Sequence, residues 1–85
     1  MKYLNNDNLF ETTDLSLVAT VCYFGGQIEA IDKTSPSRAV FFMQKSKDLD
    51  KIIQGYWSHS LAVEPSAFFN TLKETKTRLY QANIN

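Results

Sequence analysis

A few side chains in this 85-residue chain are chemically equipped for a reaction or a metal, and their types and spacing come first. A zinc site draws three or four ligands from a clustered set of cysteines and histidines. Here the single cysteine, Cys22, lies in an apolar stretch, and the single histidine, His59, is far along the chain. Cys22 therefore reads as a small core residue. Nucleophilic catalysis needs an activated Ser, Cys or Lys beside a base. Ser58-His59-Ser60 sets hydroxyls next to an imidazole, but no glycine-flanked serine elbow frames them. The tripeptide reads as a helix-terminating loop, with His59 near the negative end of a helix dipole. Asp48 and Asp50 diverge from a helix start, and Glu11 and Asp14 flank a cap, so neither pair reads as an acid/base couple. Gly25-Gly26 follows a helix rather than preceding one and offers no phosphate cradle. The residues predict no enzyme, no cofactor, no metal site and no small-molecule substrate.

Binding chemistry is better represented. Lys45, Lys47 and Lys51 surround the start of one helical segment, and Lys73, Lys76 and Arg78 lie on the last, with Tyr80 nearby. If those two helices lie side by side, their outer faces form a modest basic patch for phosphates. Arg38-Ala39-Val40-Phe41-Phe42 has the look of an aromatic RNA-reading strand, but it lacks the glycine of such strands and its rings are better used as core. Tyr56 and Trp57 are the candidate protein contacts, since tyrosine and tryptophan are preferred interface anchors. Trp57 falls outside the stripe of its helix, and in so small a domain its first reading is to close the core against the third helix, an interface contact being the second.

The elements that must position these residues follow from periodicity. Leu9-Phe10-Glu11-Thr12 alternates like a short edge strand. Thr12 or Thr13 caps a helix from about Asp14 to Phe24, with Asp14 in its first turn. Leu15, Val18, Val21 and Cys22 form its stripe, Leu17 and Phe24 widen it, and Gly25-Gly26 stops it. A helix so apolar is covered on most sides. Residues 27–33 and 38–44 form a β-hairpin across the turn-rich Thr34-Ser35-Pro36-Ser37. Val40, Phe41, Phe42 and Met43 are apolar on both pleat faces, so that strand is central or doubly covered. Ser46 caps a second helix with the stripe Leu49, Ile52, Ile53 and Tyr56. Leu61-Ala62-Val63 is a candidate short strand. Glu64-Pro65 opens a third helix whose buried side is marked by Phe68, Phe69, Leu72, Leu79 and Tyr80, with Thr75 interrupting.

The predicted fold is a small single α+β domain of order (β)αββα(β)α, an antiparallel hairpin packed against three helices. It spans residues 9–82, between a flexible lead-in at 1–8 and a tail at 83–85. A composition 44% hydrophobic and 13% aromatic suits an ordered globule. No apolar run approaches the ~20 residues that span a bilayer, so no membrane association is expected. The lone cysteine and the polar start Met1-Lys2-Tyr3-Leu4 predict a cytoplasmic protein. Net charge is zero but unevenly distributed. Residues 1–32 set Lys2 against Asp7, Glu11, Asp14, Glu29 and Asp32, whereas cations dominate from Lys33 onward.

Several stretches carry a likeness to a known family: Phe10-Glu11-Thr12-Thr13-Asp14-Leu15, Arg38-Ala39-Val40-Phe41-Phe42, Tyr56-Trp57, Val63-Glu64-Pro65, Phe68-Phe69-Asn70 and Lys76-Thr77-Arg78-Leu79-Tyr80. As an ordered set over about residues 9–81, they make the chain resemble the domain of unknown function 5659 family. The resemblance implies a short stand-alone chain of bacterial, archaeal or mobile-element (including viral) origin, and directs attention to Trp57, Lys76 and Arg78. It carries no activity, cofactor or catalytic residue. Glu64 stands where an aspartate cap is expected, predicting a weaker helix start, and Thr75 replaces an expected leucine, predicting a polar notch. The expected function is that of a non-catalytic accessory domain that binds a protein partner or itself. The alternative is a nucleic-acid-associated protein using the basic residues of helices 2 and 3.

Overall fold

The computed structural model of the chain describes residues 9–34 and 38–82. The lead-in at 1–8, the centre of the hairpin link at 35–37 and the tail at 83–85 lie outside the described residues. The elements in order are β1 (Leu9–Thr12), α1 (Leu15–Tyr23), β2 (Ile28–Asp32), β3 (Val40–Gln44), α2 (Lys47–Ser58) and α3 (Pro65–Gln81). The α+β expectation holds, with an antiparallel sheet in the order β1-β3-β2.

β3 is central, as its two-faced apolarity required. Phe41 and Met43 point into the main core with Leu17, Val18 and Val21 of α1, Ile28 of β2 and Leu49 of α2. Phe42, on the opposite pleat face, is also buried. Pairing places Phe10 opposite Met43 and Thr12 opposite Phe41, so β1 turns its alternate residues toward the same core. β2 would fail that test if regular, because Ile28 and Ile31 are an odd number of residues apart. A shift in register between Ile28 and Ala30 resolves the conflict. The extra residue, Glu29, is exposed, and both isoleucines reach the helix side of the sheet.

α1 is the centre of the helical layer. Five consecutive residues, Leu17 to Val21, are buried, which no helix lying on a surface allows. α2 and α3 both pack against it. Its start is capped by Asp14 rather than by Thr12 or Thr13: Asp14 Oδ1 accepts from Ser16 N at 3.1 Å and Leu17 N at 3.2 Å. Thr12 acts one step earlier, its Oγ1 accepting from Asp14 N at 3.1 Å. The other carboxylate oxygen of Asp14 accepts from the Tyr56 hydroxyl at 3.0 Å, tying α1 to the end of α2. At the far end, Tyr23 Oη accepts from Glu64 N at 2.9 Å and anchors the start of α3. Phe24 ends α1 as its C-cap, exposed and edge-on to Tyr23 rather than widening the buried stripe.

Both α1 and α2 end with an amide just past a left-handed residue reaching back five positions, Gly26 N to Val21 O at 2.9 Å and Ser60 N to Gly55 O at 3.0 Å. This closure needs a left-handed residue. After α1 it is Gly25 (φ 99°), and a Cβ on the adjoining Gly26 would strike the Val21 side chain. After α2 the left-handed residue is His59 (φ 61°), which carries a steric cost that glycine avoids.

Leu61-Ala62-Val63 forms no strand. It is the connection that carries the chain from α2 to its Tyr23 anchor, and among the described residues no strand pairs with it. Glu64 is an effective cap despite its length, accepting from Ala67 N at 2.7 Å and Ser66 N at 3.2 Å. On α3 the buried side is Phe68, Leu72, Thr75 and Leu79. Phe69 and Tyr80, expected there, are exposed. Thr75 is only 3% exposed, and its hydroxyl donates to Thr71 O at 2.9 Å, so the notch satisfies its own polar atom.

Two predictions follow from these joints. Asp14→Ala removes a cap and a tertiary acceptor and should cost about 2 kcal/mol, and Tyr56→Phe about 1 kcal/mol. In urea denaturation the double variant should fall short of additivity, and strict additivity would show that the two side chains are not coupled. His59→Gly should raise stability by about 0.5–1 kcal/mol by relieving the left-handed strain, net of glycine's greater unfolded-state entropy. An unchanged denaturation midpoint would show that the loop holds His59 without strain.

Candidate interaction surface

The side chains of reactive type are dispersed by the fold. Cys22 lines a cleft of about 340 Å³ between the end of α1, the start of β2 and α3, with Gln27, Thr71, Glu74 and Arg78. His59 borders a different hollow, of about 310 Å³, with Tyr56, Leu61, Val63 and Phe68. Ser58 Oγ bonds to Gly55 O at 3.3 Å and pairs with Ser60 Oγ at 2.9 Å, so these hydroxyls are engaged with each other and the backbone. Among the described residues, no group of three or more His, Cys, Asp or Glu is placed to hold a metal ion, and no helix is long and apolar enough to cross a membrane.

The two basic clusters are not joined into one patch by helix packing. α2 and α3 each lean on α1 rather than lying side by side. Lys45, Lys47 and Lys51 are exposed around the start of α2, interleaved with exposed Asp48 and Asp50. Lys73 and Lys76 are exposed on α3. Arg78 has a structural tie: its guanidinium donates to Ile28 O at 3.4 Å across the Cys22 cleft. Of the two aromatic candidates, Tyr56 is half-buried and held by Asp14, whereas Trp57 is 62% exposed, edge-on to Tyr56 with ring centroids 4.9 Å apart. The structure thus places Trp57 on the surface rather than against the third helix.

A surface not anticipated from the sequence lies on α3. Phe69 is 60% and Tyr80 66% exposed. They fall at i and i+11 of a face whose i+4 and i+7 positions are Lys73 and Lys76. This outer stripe runs parallel to the buried one (Phe68, Leu72, Thr75, Leu79), shifted by one residue, or about 100° around the helix. The two stripes merge in a simple apolar reading, because adjacent phenylalanines belong one to each. The discriminating signal was present: Thr75 completes the inner stripe at i+7, and only that register leaves both lysines outside.

Burial pushes the Cys22 thiol above its ordinary pKa; the Arg78 guanidinium opposes the rise and the Glu74 carboxylate adds to it. Little thiolate is therefore present near neutral pH. Iodoacetamide should alkylate native Cys22 several-fold more slowly than the urea-unfolded chain, with the native midpoint displaced to higher pH. Equal native and unfolded rates would contradict this assignment.

No curated protein and no solved structure matches the chain. Residues 7–81 match the family described as Domain of unknown function (DUF5659), which covers most of the chain and the whole α+β unit described above. The chain therefore belongs to the DUF5659 family.

Proposed function

We propose that this domain is a non-catalytic accessory module that binds a protein partner through the outward face of α3. The observation that carries the reading is the exposure of Phe69 and Tyr80 on one helix face. A domain of this size has few large apolar residues to spare from its core. Rings left in water on a rigid helix are suited to act as interface anchors. Trp57 is a further exposed ring of the kind that anchors interfaces. The expected setting is the cytoplasm, in a chain of bacterial, archaeal or mobile-element origin.

The second reading, nucleic-acid association, draws support from Lys73 and Lys76 between two aromatic rings, the combination that single-strand binders use. It is weakened because α2 and α3 pack on α1 rather than side by side, the arrangement that a joint basic patch required. Two phosphate contacts on a single strand correspond to a salt slope of only about −1.4 in log K against log salt.

Phe69→Ala combined with Tyr80→Ala should leave the denaturation midpoint nearly unchanged, as exposed substitutions do, while abolishing recovery of the partner from a lysate of the native source. Nuclease treatment should not affect the wild-type recovery. Retention of the same partner by the double variant would sink the reading. Nuclease-sensitive recovery would favour nucleic acid, and concentration-dependent sedimentation of the pure chain would favour self-association.

A further inference from the structure

We infer that the segment received by the α3 face is an acidic amphipathic helix of another protein, with carboxylates at its centre and apolar side chains toward its ends. This rests on the α3 docking reading above. The order along the face is Phe69, Lys73, Lys76, Tyr80. At 1.5 Å of rise per residue the two rings stand about 16 Å apart along the axis, with both ammonium groups between them. The two acids at the cap and within this helix are engaged elsewhere. The Glu64 carboxylate is consumed by the N-cap, and Glu74 lines the Cys22 cleft on another side of α3. Among the described residues no ion pair engages Lys73 or Lys76. Among the described residues the face therefore presents two positive charges outside any ion pair, bracketed by apolar anchors.

Complementarity selects among occupants. A second copy docking symmetrically through the same face would bring lysines against lysines, which disfavours an isologous dimer here. A nucleic-acid strand would gain little from two phosphate contacts. A helix bearing glutamates opposite the lysines and leucines opposite the rings satisfies both features at once, in the helix-on-helix mode of peptide recognition.

The test uses a fluorescein-labelled helical peptide of about 20 residues, long enough to hold helix and to span both rings. It has a leucine-lined face with central glutamates, and is compared with versions carrying glutamine or lysine there and with labelled oligodeoxythymidylate. At low salt, anisotropy should show the glutamate peptide bound about five- to tenfold more tightly than the glutamine peptide, as expected for two exposed ion pairs, and the lysine peptide weakest. Lys73→Glu with Lys76→Glu should invert that order, and Phe69→Ala with Tyr80→Ala should weaken every peptide. Equal binding of the glutamate and glutamine peptides, still lost in the aromatic variant, would overturn the acidic partner while leaving α3 as a docking face. Binding of the oligonucleotide alone would overturn both. Failure of every probe would overturn the acidic partner, and the lysate capture would then decide the docking reading independently.

Discussion

The rest of the structure depends on the enclosure of α1. A helix with five consecutive buried residues, Leu17 to Val21, has no solvent face over that stretch, so the chain must supply cover all round it. The sheet contributes Phe41, Met43 and Ile28; α2 contributes Leu49, Ile52 and Ile53; α3 packs along another side. Burying each large aliphatic or aromatic side chain contributes about 1.5–3 kcal/mol, which makes this shared core the dominant favourable term. A three-stranded sheet or a pair of flanking helices has no comparable interior without α1.

Hydrogen bonds then fix how the cover is attached. Asp14 caps α1 and accepts from Tyr56, and Tyr23 accepts from the backbone where α3 begins, so each flanking helix is pinned to one end of α1. The rotation of α3 follows from the stripe it buries against the core. Once Phe68, Leu72, Thr75 and Leu79 are turned inward, Phe69, Lys73, Lys76 and Tyr80 must face out. The proposed docking face is thus a consequence of the packing that builds the core, and it needs no separate scaffold.

Much of the fold was legible in the chain because short-range physics dictated it. The two-faced apolarity of Val40 to Met43 required a central strand, Gly25-Gly26 required a stop, and Ser46 with Asp48 and Asp50 marked a helix start. Errors arose where two local solutions were nearly equal. Thr12, Thr13 and Asp14 can all cap a helix; the carboxylate of Asp14 reached both the first-turn amides and the Tyr56 hydroxyl, and this long-range contact favours it. Glu64 is a poor cap by residue type, yet its longer side chain accepts from two amides. Leu61 to Val63 is an apolar run that reads as a short strand, but a strand exists only with a partner. Adjacent Phe68 and Phe69 look alike in composition, and only the register against α1 separates the buried ring from the exposed one.

The sequence by itself determined the α+β class, the central strand and the number and approximate limits of the helices, because backbone propensity and apolar period act between near neighbours. It also determined the small number of side chains of reactive type. Tertiary structure alone decided the bulge that brings Ile28 and Ile31 to one side of the sheet, the separation of Cys22 from His59, and the packing of both lysine-bearing helices on α1 rather than on each other. It likewise decided which aromatic rings remain in water. Each of these depends on distances between residues far apart in the chain, and those distances are set only when α2 and α3 come to rest on α1.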